Sequence, residues 1–315
     1  MAIGKSKKQI LVTQKEYDVT GLERIAIPMT NIVDINPAAE GEDIDIVTTA
    51  MGSKRNYKDN YHTTVNFNVE GYLTADLEDF DNLGTPEVYS NMDSLLLQAG
   101  LKRTQSATDE VTYTPNSDEN GALALDFYKE DIKRTIEGAK NSMTIAGEVG
   151  KPITVTFNIS AYTDLEPTEL AYSGNSADLT DLVIINKVTG YTEGGGTINM
   201  QSFTLNQNAE LQDTYAIGLS QFDLTDFDPQ LEVTALKIKN DISSWASFKT
   251  GALSEIIITA ITSDGKTLEI KIPFAKILTN EEGDDAGRQT LVRNFRCENS
   301  VGDDNFSIRI NQTVI

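Results

Sequence analysis

From Ile153 to Ser160 the chain alternates without a break, Ile153, Val155, Phe157 and Ile159 against Thr154, Thr156, Asn158 and Ser160. A period of two puts every apolar side chain on one face of a strand and every polar one on the other. The apolar set is β-branched or aromatic and half of the polar set is threonine, which suits a pleated, half-buried surface. Gly147, Gly150 and Pro152 punctuate the approach, so the strand starts from a turn. The natural setting is an antiparallel sheet with one wet face. Nothing in the stretch is chemically reactive; it is a building element.

The same alternation recurs along the chain. It marks strands at Ile25, Ile27 and Met29, at Val65, Phe67 and Val69, and at Leu123, Leu125 and Phe127. Ile132 with Ile136, and Met143 with Ile145, read as two further strands before the central one. Later strands are expected at 183–185, 197–205, 255–261, 268–274, 291–297 and 306–310. Two segments read as short helices. One is 91–100, with Asn91 or Asp93 as its cap and Gly100 as its end; the other is 241–251, with a weaker pattern. Two polar stretches, 34–62 and 103–121, read as long loops, the first with a short strand near 43–49 and the second alternatively as an exposed hairpin. Loops of such length are usually functional or ordered by a partner. Many short strands and two short helices mean an all-β or β-rich sandwich.

At 315 residues the chain has room for one large β domain or two ordinary ones. Its 26 Lys and Arg against 48 Asp and Glu give a net charge of -22. Such a surface repels nucleic acid and anionic lipid, because phosphate binding needs neutralising cations. Solubility alone explains this charge; so does a surface that must lie close to DNA without adhering. No run approaches the roughly eighteen apolar residues of a membrane span. The basic N-terminus is followed by only three apolar residues, so no signal peptide is expected and synthesis is placed in a cytosol. The single cysteine, Cys297, excludes an internal disulfide framework. It closes the alternating run Leu291, Arg293, Phe295, Cys297, and no histidine lies nearby in sequence to activate it, so a small buried hydrophobe is expected.

A search for repeats finds Gly71-Tyr-Leu-Thr-Ala-Asp-Leu-Glu-Asp-Phe-Asp81 and, 147 residues on, Gly218-Leu-Ser-Gln-Phe-Asp-Leu-Thr-Asp-Phe-Asp228. Each is followed by one of the two helices, and each half closes on a strand with a central phenylalanine, Phe157 or Phe295. The expectation is a diverged tandem duplication, residues 1–165 and 166–315, joined near the polar run 173–179. The acidic motif is also the one candidate metal site. An EF-hand loop needs glycine at its sixth position, and Asp76 as the first puts Asp81 there. Asp76, Asp79, Asp81, Asp223, Asp226 and Asp228 are therefore expected as satisfied or solvated acidic turns. His62, the only histidine, has no partner of known role in sequence. No phosphate loop, dinucleotide fingerprint, nucleophile elbow or zinc spacing appears. No catalytic, cofactor-binding or metal-ligating residues are expected, and the chain does not read as an enzyme.

The order of elements carries a resemblance. Residues 58–101 run from a loop with Lys58, Asp59 and Tyr61 through the Val65-x-Phe67-x-Val69 strand and an acidic turn to a Leu-rich helix ending in Gly100. Then come paired strands, Gly147-Glu-Val-Gly-Lys-Pro-Ile-Thr-Val-Thr-Phe-Asn-Ile159, and Ile198-Asn-Met-Gln-Ser-Phe-Thr-Leu-Asn-Gln-Asn-Ala209. Over roughly residues 30–230 this order resembles the major tail tube proteins of long-tailed bacteriophages and related tail-like particles, without an invariant motif.

The resemblance implies a β-sandwich or barrel-like tube domain with one flanking helix. Such subunits pair sheets edge to edge into rings and stack through a long loop, leaving a channel for DNA. It implies a virion protein, assembled in the host cytoplasm beside other tail proteins, whose negatively lined channel DNA passes during ejection without tight binding. The usual subunit is about half this length. Two fused tube domains would give a trimer of pseudo-sixfold form; one tube domain with an accessory domain at 166–315 would give a hexamer. The two long loops, with Tyr57, Tyr61 and Tyr113 as aromatic anchors, are the expected subunit contacts. A reading from another class is an acidic β-sandwich binding or adhesion module, calcium-dependent in one version.

Overall fold

The structure is a computed structural model. It describes residues 9–15, 23–27, 29–31, 34–35, 41–45, 54–58, 63–74, 77–82, 85–90, 92–107, 109–117, 123–129, 131–163, 167–170, 187–193, 196–216, 219–237, 243–262, 265–300 and 302–311.

The first half contains β1 (Gln9–Lys15), β2 (Glu23–Ile27), β3 (Gly41–Asp45), β4 (Lys54–Lys58), β5 (Thr63–Tyr72), β6 (Leu77–Asn82) and β7 (Thr85–Ser90). Helix α1 (Asp93–Gln98) follows, then β8 (Leu101–Ala107), β9 (Glu110–Pro115), β10 (Leu123–Lys129), β11 (Ile132–Glu148), β12 (Thr154–Thr163) and β13 (Thr168–Glu169). The second half contains β14 (Lys187–Glu193), β15 (Gly196–Thr197), β16 (Met200–Asn206), β17 (Ala209–Ala216), β18 (Leu219–Phe227) and β19 (Gln230–Leu236). It ends with α2 (Ser243–Thr250), β20 (Leu253–Ile261), β21 (Thr267–Asp285), β22 (Arg288–Glu298) and β23 (Ser307–Asn311). The protein is β-rich, as its alternation dictates, and every strand pairing among the described residues is antiparallel.

Two long strands organise the sheets. β11 has 17 residues, where the sequence pattern suggested two strands; no breaker separates Ile136 from Met143, and Gly138, at φ 60, absorbs a bulge between Glu137 and Lys140. Along one edge β11 pairs with β12; along the other, β10 pairs with its first part and β16 with its last. β21, with 19 residues, behaves alike: β20 lies on one edge, and β23 then β22 on the other. Pro273, which lacks an N–H, sits within β21 opposite the register shift at Ser254/Ile256, where a ladder bond is already missing.

The same succession of pairings occurs twice. In the first half it runs β1–β10–β11–β12–β5, and in the second β14–β20–β21–β22–β19. A separate two-stranded hairpin precedes the last-named strand in each half, β3–β4 before β5 and β17–β18 before β19. A helix precedes each three-strand meander, α1 the one from β10 and α2 the one from β20.

The halves are hydrogen bonded to each other, β11 to β16 and β9 to β23. Phe157 and Ile145 of the first half and Phe203, Leu231 and Phe295 of the second belong to one hydrophobic core. Each such fully buried side chain contributes about 1.5–3 kcal/mol relative to exposure.

The two helices lie where the sequence placed them, and Gly100 and Gly251, at φ 72 and 63, end them in the left-handed region. The capping differs from expectation. Met92 holds the α1 cap position without a side-chain cap bond. Asp93 is instead buried in the first turn, bonded to Arg103 at 3.0 Å and to the Tyr113 hydroxyl at 2.8 Å. Within the stretch 103–121, expected as a loop or exposed hairpin, most of the described residues belong to β8 and β9, which pair with each other, with Val111 and Tyr113 buried. The expected strand at 183–185, His62 and the junction 173–179 lie outside the described residues.

Candidate assembly surface

Seven strands form one continuous sheet across both halves, in the order β5–β12–β11–β16–β19–β22–β21. The parity of each strand decides its two faces. Gly71, Val155, Ile145, Leu205, Leu231, Phe295 and Ile277 lie in register across it and are buried. The adjacent row carries Glu70, Thr156, Thr144, Asn206, Gln230, Arg296 and Lys276. None of that row is buried, and Asn68, Asn158 and Glu232 on the same face are exposed. This face is dominated by Asn, Thr, Ser and Gln, with charges of both signs. The strongly acidic character of the chain is therefore not concentrated on it.

The ends of this sheet differ from its middle. At one end, β5 is met on its outer edge at Glu70, whose carbonyl accepts from Thr30 N at 2.8 Å and Thr30 Oγ1 at 2.9 Å. At the other, β20 pairs with β21 only as far as Lys276, so from Ile277 to Asp285 no strand among the described residues pairs with that edge. An unpaired edge is a template for another chain. Glu281, Glu282, Asp284 and Asp285 on this segment are exposed.

Within one molecule, the β17–β18 hairpin shows how such a junction is closed. It leaves β16, lies against β11 and β12, and returns as β19. Phe222 packs on Tyr162 with ring centroids 5.4 Å apart, and the Tyr162 hydroxyl donates to Asp213. Ala209 N donates to Ser142 Oγ at 3.3 Å. Leu224 lies over Gly100, so close that a Cβ there would sit 2.3 Å from Leu224 Cδ2. The hairpin thus closes over the C-terminal end of α1.

Among the described residues the second helix has no such cover. On α1, Asp93, Ser94, Leu95, Leu96 and Gln98 are buried. On α2, Trp245 and Phe248 are 38% and 36% exposed and stack edge to face at 6.3 Å, with Leu253 just beyond at 50% and Leu278 on β21 at 41%.

Of the expected contact residues, Tyr57 lies on β4 opposite Glu42, and Tyr61 lies outside the described residues. Tyr113 is corrected: it is fully buried, and its hydroxyl is committed to Asp93, so it is a core residue of β9 and offers nothing to a second subunit. Its strand parity, shared with Val111, turns it inward.

The acidic residues are corrected in part. Asp76 lies outside the described residues. Asp79 and Asp81 stand on strand β6, opposite Val88 and Pro86, and Asp223 and Asp226 on strand β18, so these four are in paired strands rather than turns. Asp223 accepts from Thr214 at 2.6 Å and Gln221 at 2.7 Å, which satisfies it locally. Asp228, just past β18, pairs with Arg296 Nε at 2.8 Å. The two copies of the motif also occupy unlike places. β6 follows β5, whereas β18 precedes β19, the strand that takes the place of β5 in the repeated pairings. The match at 147 residues therefore does not align the two halves.

Near Asp228 a pocket is lined by Asp226, Glu298 and Asp303 among others. Asp303 is held by Ser117 N at 2.8 Å and Glu298 by Lys276 at 3.4 Å. Among the described residues no group of three or more His, Cys, Asp or Glu side chains could hold a metal ion, and no helix is long and apolar enough to cross a membrane. Cys297, beside this pocket, is buried as expected; burial, and then the Asp228 charge, push its thiol up to about 12.

A buried ion pair went unforeseen. Arg293 Nη1 meets Glu193 Oε2 at 2.5 Å, and the Tyr191 hydroxyl donates to the same oxygen at 3.1 Å. Burial, reinforced by the Glu193 charge, holds the Tyr191 phenol well above its ordinary range. The inward parity of Arg293 in the run 291–297 was the available signal. No protein-family model matches this sequence, and comparison with curated proteins likewise gives no match.

Proposed function

We propose that this chain is a structural protein that polymerises into stacked rings, forming a tail tube of the bacteriophage kind through which DNA passes. The observation that carries the reading is the repeated succession of pairings, joined through β11–β16 into one seven-stranded sheet with a polar face and an unpaired terminal edge. A sheet that already continues from one half into the next needs only the same junction between chains to close. In this reading each half is one tube-like unit, so three chains make a ring of pseudo-sixfold form.

The polar face would line the lumen. Its Asn and Thr side chains offer phosphate no strong partner, its Arg296 and Lys276 are paired with Asp228 and Glu298, and the net charge of -22 sets a repulsive background. The protein would then reside in the virion tail, in contact with itself and with other tail proteins.

Electron microscopy of the purified full-length chain over rising concentration tests this. Rings or tubes with threefold repetition in end views are the expected result. Sixfold-equivalent subunits, each with an outward knob, would replace the trimer by a hexamer with an accessory second half. Single particles at every concentration would favour the binding-module alternative. Duplex DNA should show no measurable binding at physiological salt, and tight salt-sensitive binding would remove the lumen assignment.

A further inference from the structure

Helix α2 presents Trp245 and Phe248 to solvent, continuing into Leu253 and Leu278. Trp245 and Phe248 stack on α2, Leu253 follows at the start of β20, and Leu278 lies on β21, the strand α2 packs on; exposed apolar side chains of this size mark interfaces when they lie together. Helix α1 has the same position relative to its meander and is buried. What closes over its C-terminal end is a hairpin of the other half, β17–β18, through Leu224 on Gly100.

The structure also holds the corresponding hairpin. β17–β18 lies between β16 and β19; β3–β4 lies between β2 and β5, which takes the place of β19 in the repeated pairings. β3–β4 forms its own two-stranded sheet. Its strands carry Ile44 and Tyr57, apolar groups suited to an apolar patch.

Charge on the hairpin is divided by strand: β3 carries Glu42, Asp43 and Asp45, and β4 carries Lys54, Arg55 and Lys58 within five residues. The unpaired edge of β21, which continues from Leu278, carries exposed Glu281, Glu282, Asp284 and Asp285. Only Glu282 among these four is bridged to a cation in the described residues, by Lys237 at 2.5 Å.

We propose that the β3–β4 hairpin of a second copy of this chain closes over α2, seating on Trp245 and Phe248 with its basic strand against the acidic edge of β21. This contact is the counterpart, between chains, of β17–β18 on α1 within one chain. It rests on the self-assembly reading and names the surfaces that meet.

Trp245 is the chain's only tryptophan, so its fluorescence reports the patch alone. Full-length protein is followed from dilute to assembled, with acrylamide quenching read beside electron microscopy. Two variants accompany it: Phe248→Ser, and residues 41–58 replaced by a Gly-Ser linker. Trp245 is expected to become shielded as rings form. Either variant should raise the concentration needed for assembly by roughly tenfold or more, the loss of one good anchor. Phe248 is 36% exposed and stacks on Trp245, so Phe248→Ser should lower the monomer's unfolding midpoint somewhat, and assembly is compared at a temperature where both chains are folded.

Rings in which Trp245 stays as accessible as in the monomer would overturn the inference and leave the tube reading standing. So would a linker variant that assembles and shields Trp245 as well as the parent. A chain that stays monomeric at every concentration would remove the tube reading and this inference together.

Discussion

Replacing Glu193 by alanine isolates the buried ion pair, and the structure fixes what it should cost. Arg293 and Glu193 have side chains only 2% and 9% exposed, and among the described residues the strands that carry them, β22 and β14, do not pair directly. The pair therefore links two strands that stand apart in their ladder, with β20 and β21 between them. Without Glu193, the guanidinium keeps, among the described residues, the Phe295 ring, 5.6 Å from its centre. Its Nε already lacks a partner, as do both amide atoms of Asn280, its cross-strand neighbour. Tyr191 would lose its acceptor as well. Breaking a buried pair in this way costs about 3–5 kcal/mol, whereas an exposed pair is worth about 0–1 kcal/mol. Urea unfolding of Glu193→Ala, read by far-UV circular dichroism with an unchanged slope, should show a loss in the upper range. Removing both charges, as Glu193→Leu with Arg293→Met, should recover most of it, because no charge is then left buried. A single-variant loss under about 1 kcal/mol would refute the reasoning, since it would mean that water reaches Arg293.

Two further outcomes follow from local geometry. Gly100→Ala should cost about 1–2 kcal/mol from its left-handed backbone, with more from displaced Leu224; adding Leu224→Ala should relieve only the second part, which thermal unfolding of the three variants measures. The Cys297 thiol should resist an aromatic disulfide reagent until the chain unfolds. Its folded value, about 12, lies above the ordinary thiol value of 9.0. The unfolded chain therefore loses its proton first, so this group's contribution is complete below pH 9 and falls by about 1.4 kcal/mol per pH unit between the two values. Stability that stays flat across that window would contradict the burial.

Much of the strand content was legible because side-chain parity is a local property. Val65, Phe67 and Val69 and the run from Ile153 to Ile159 face the core as their spacing requires. Gly100 and Gly251 could be read as helix ends because only glycine enters the left-handed region without strain. Cys297 and Arg293 share one inward parity, yet only the cysteine could be assigned an environment. A small hydrophobe needs no particular neighbour, whereas Arg293 needs Glu193, a hundred residues earlier on a strand that does not pair with its own. Tyr113 was misplaced for the same reason. Its polar surroundings in sequence suggested a loop, while the contact that commits it comes from Asp93 at the start of α1. The strands β17 and β18 were missed because their alternation is interrupted by acids that bond to near neighbours, as Asp223 does to Thr214 and Gln221.

The repeat shows most clearly where sequence and structure carry different information. Six matching residues within Gly71–Asp81 and Gly218–Asp228 pointed to two halves, yet the strands that carry them hold different places in the order of strands. What recurs is the ladder β10–β11–β12–β5 as β20–β21–β22–β19. A ladder is made by backbone N–H and C=O groups, which every residue except proline supplies, so it survives side-chain change that erases identity. Register needs only that the buried parity be kept, and Phe157 and Phe295 both keep it. Side chains diverge freely where the halves meet different neighbours. α1 ends under Leu224 and is apolar and buried; α2 carries Ser247, Lys249 and Thr250 beside its exposed Trp245 and Phe248. In the proposed ring that aromatic pair is dry, and in the single chain it is half wet, which is why Trp245 is the group that reports assembly.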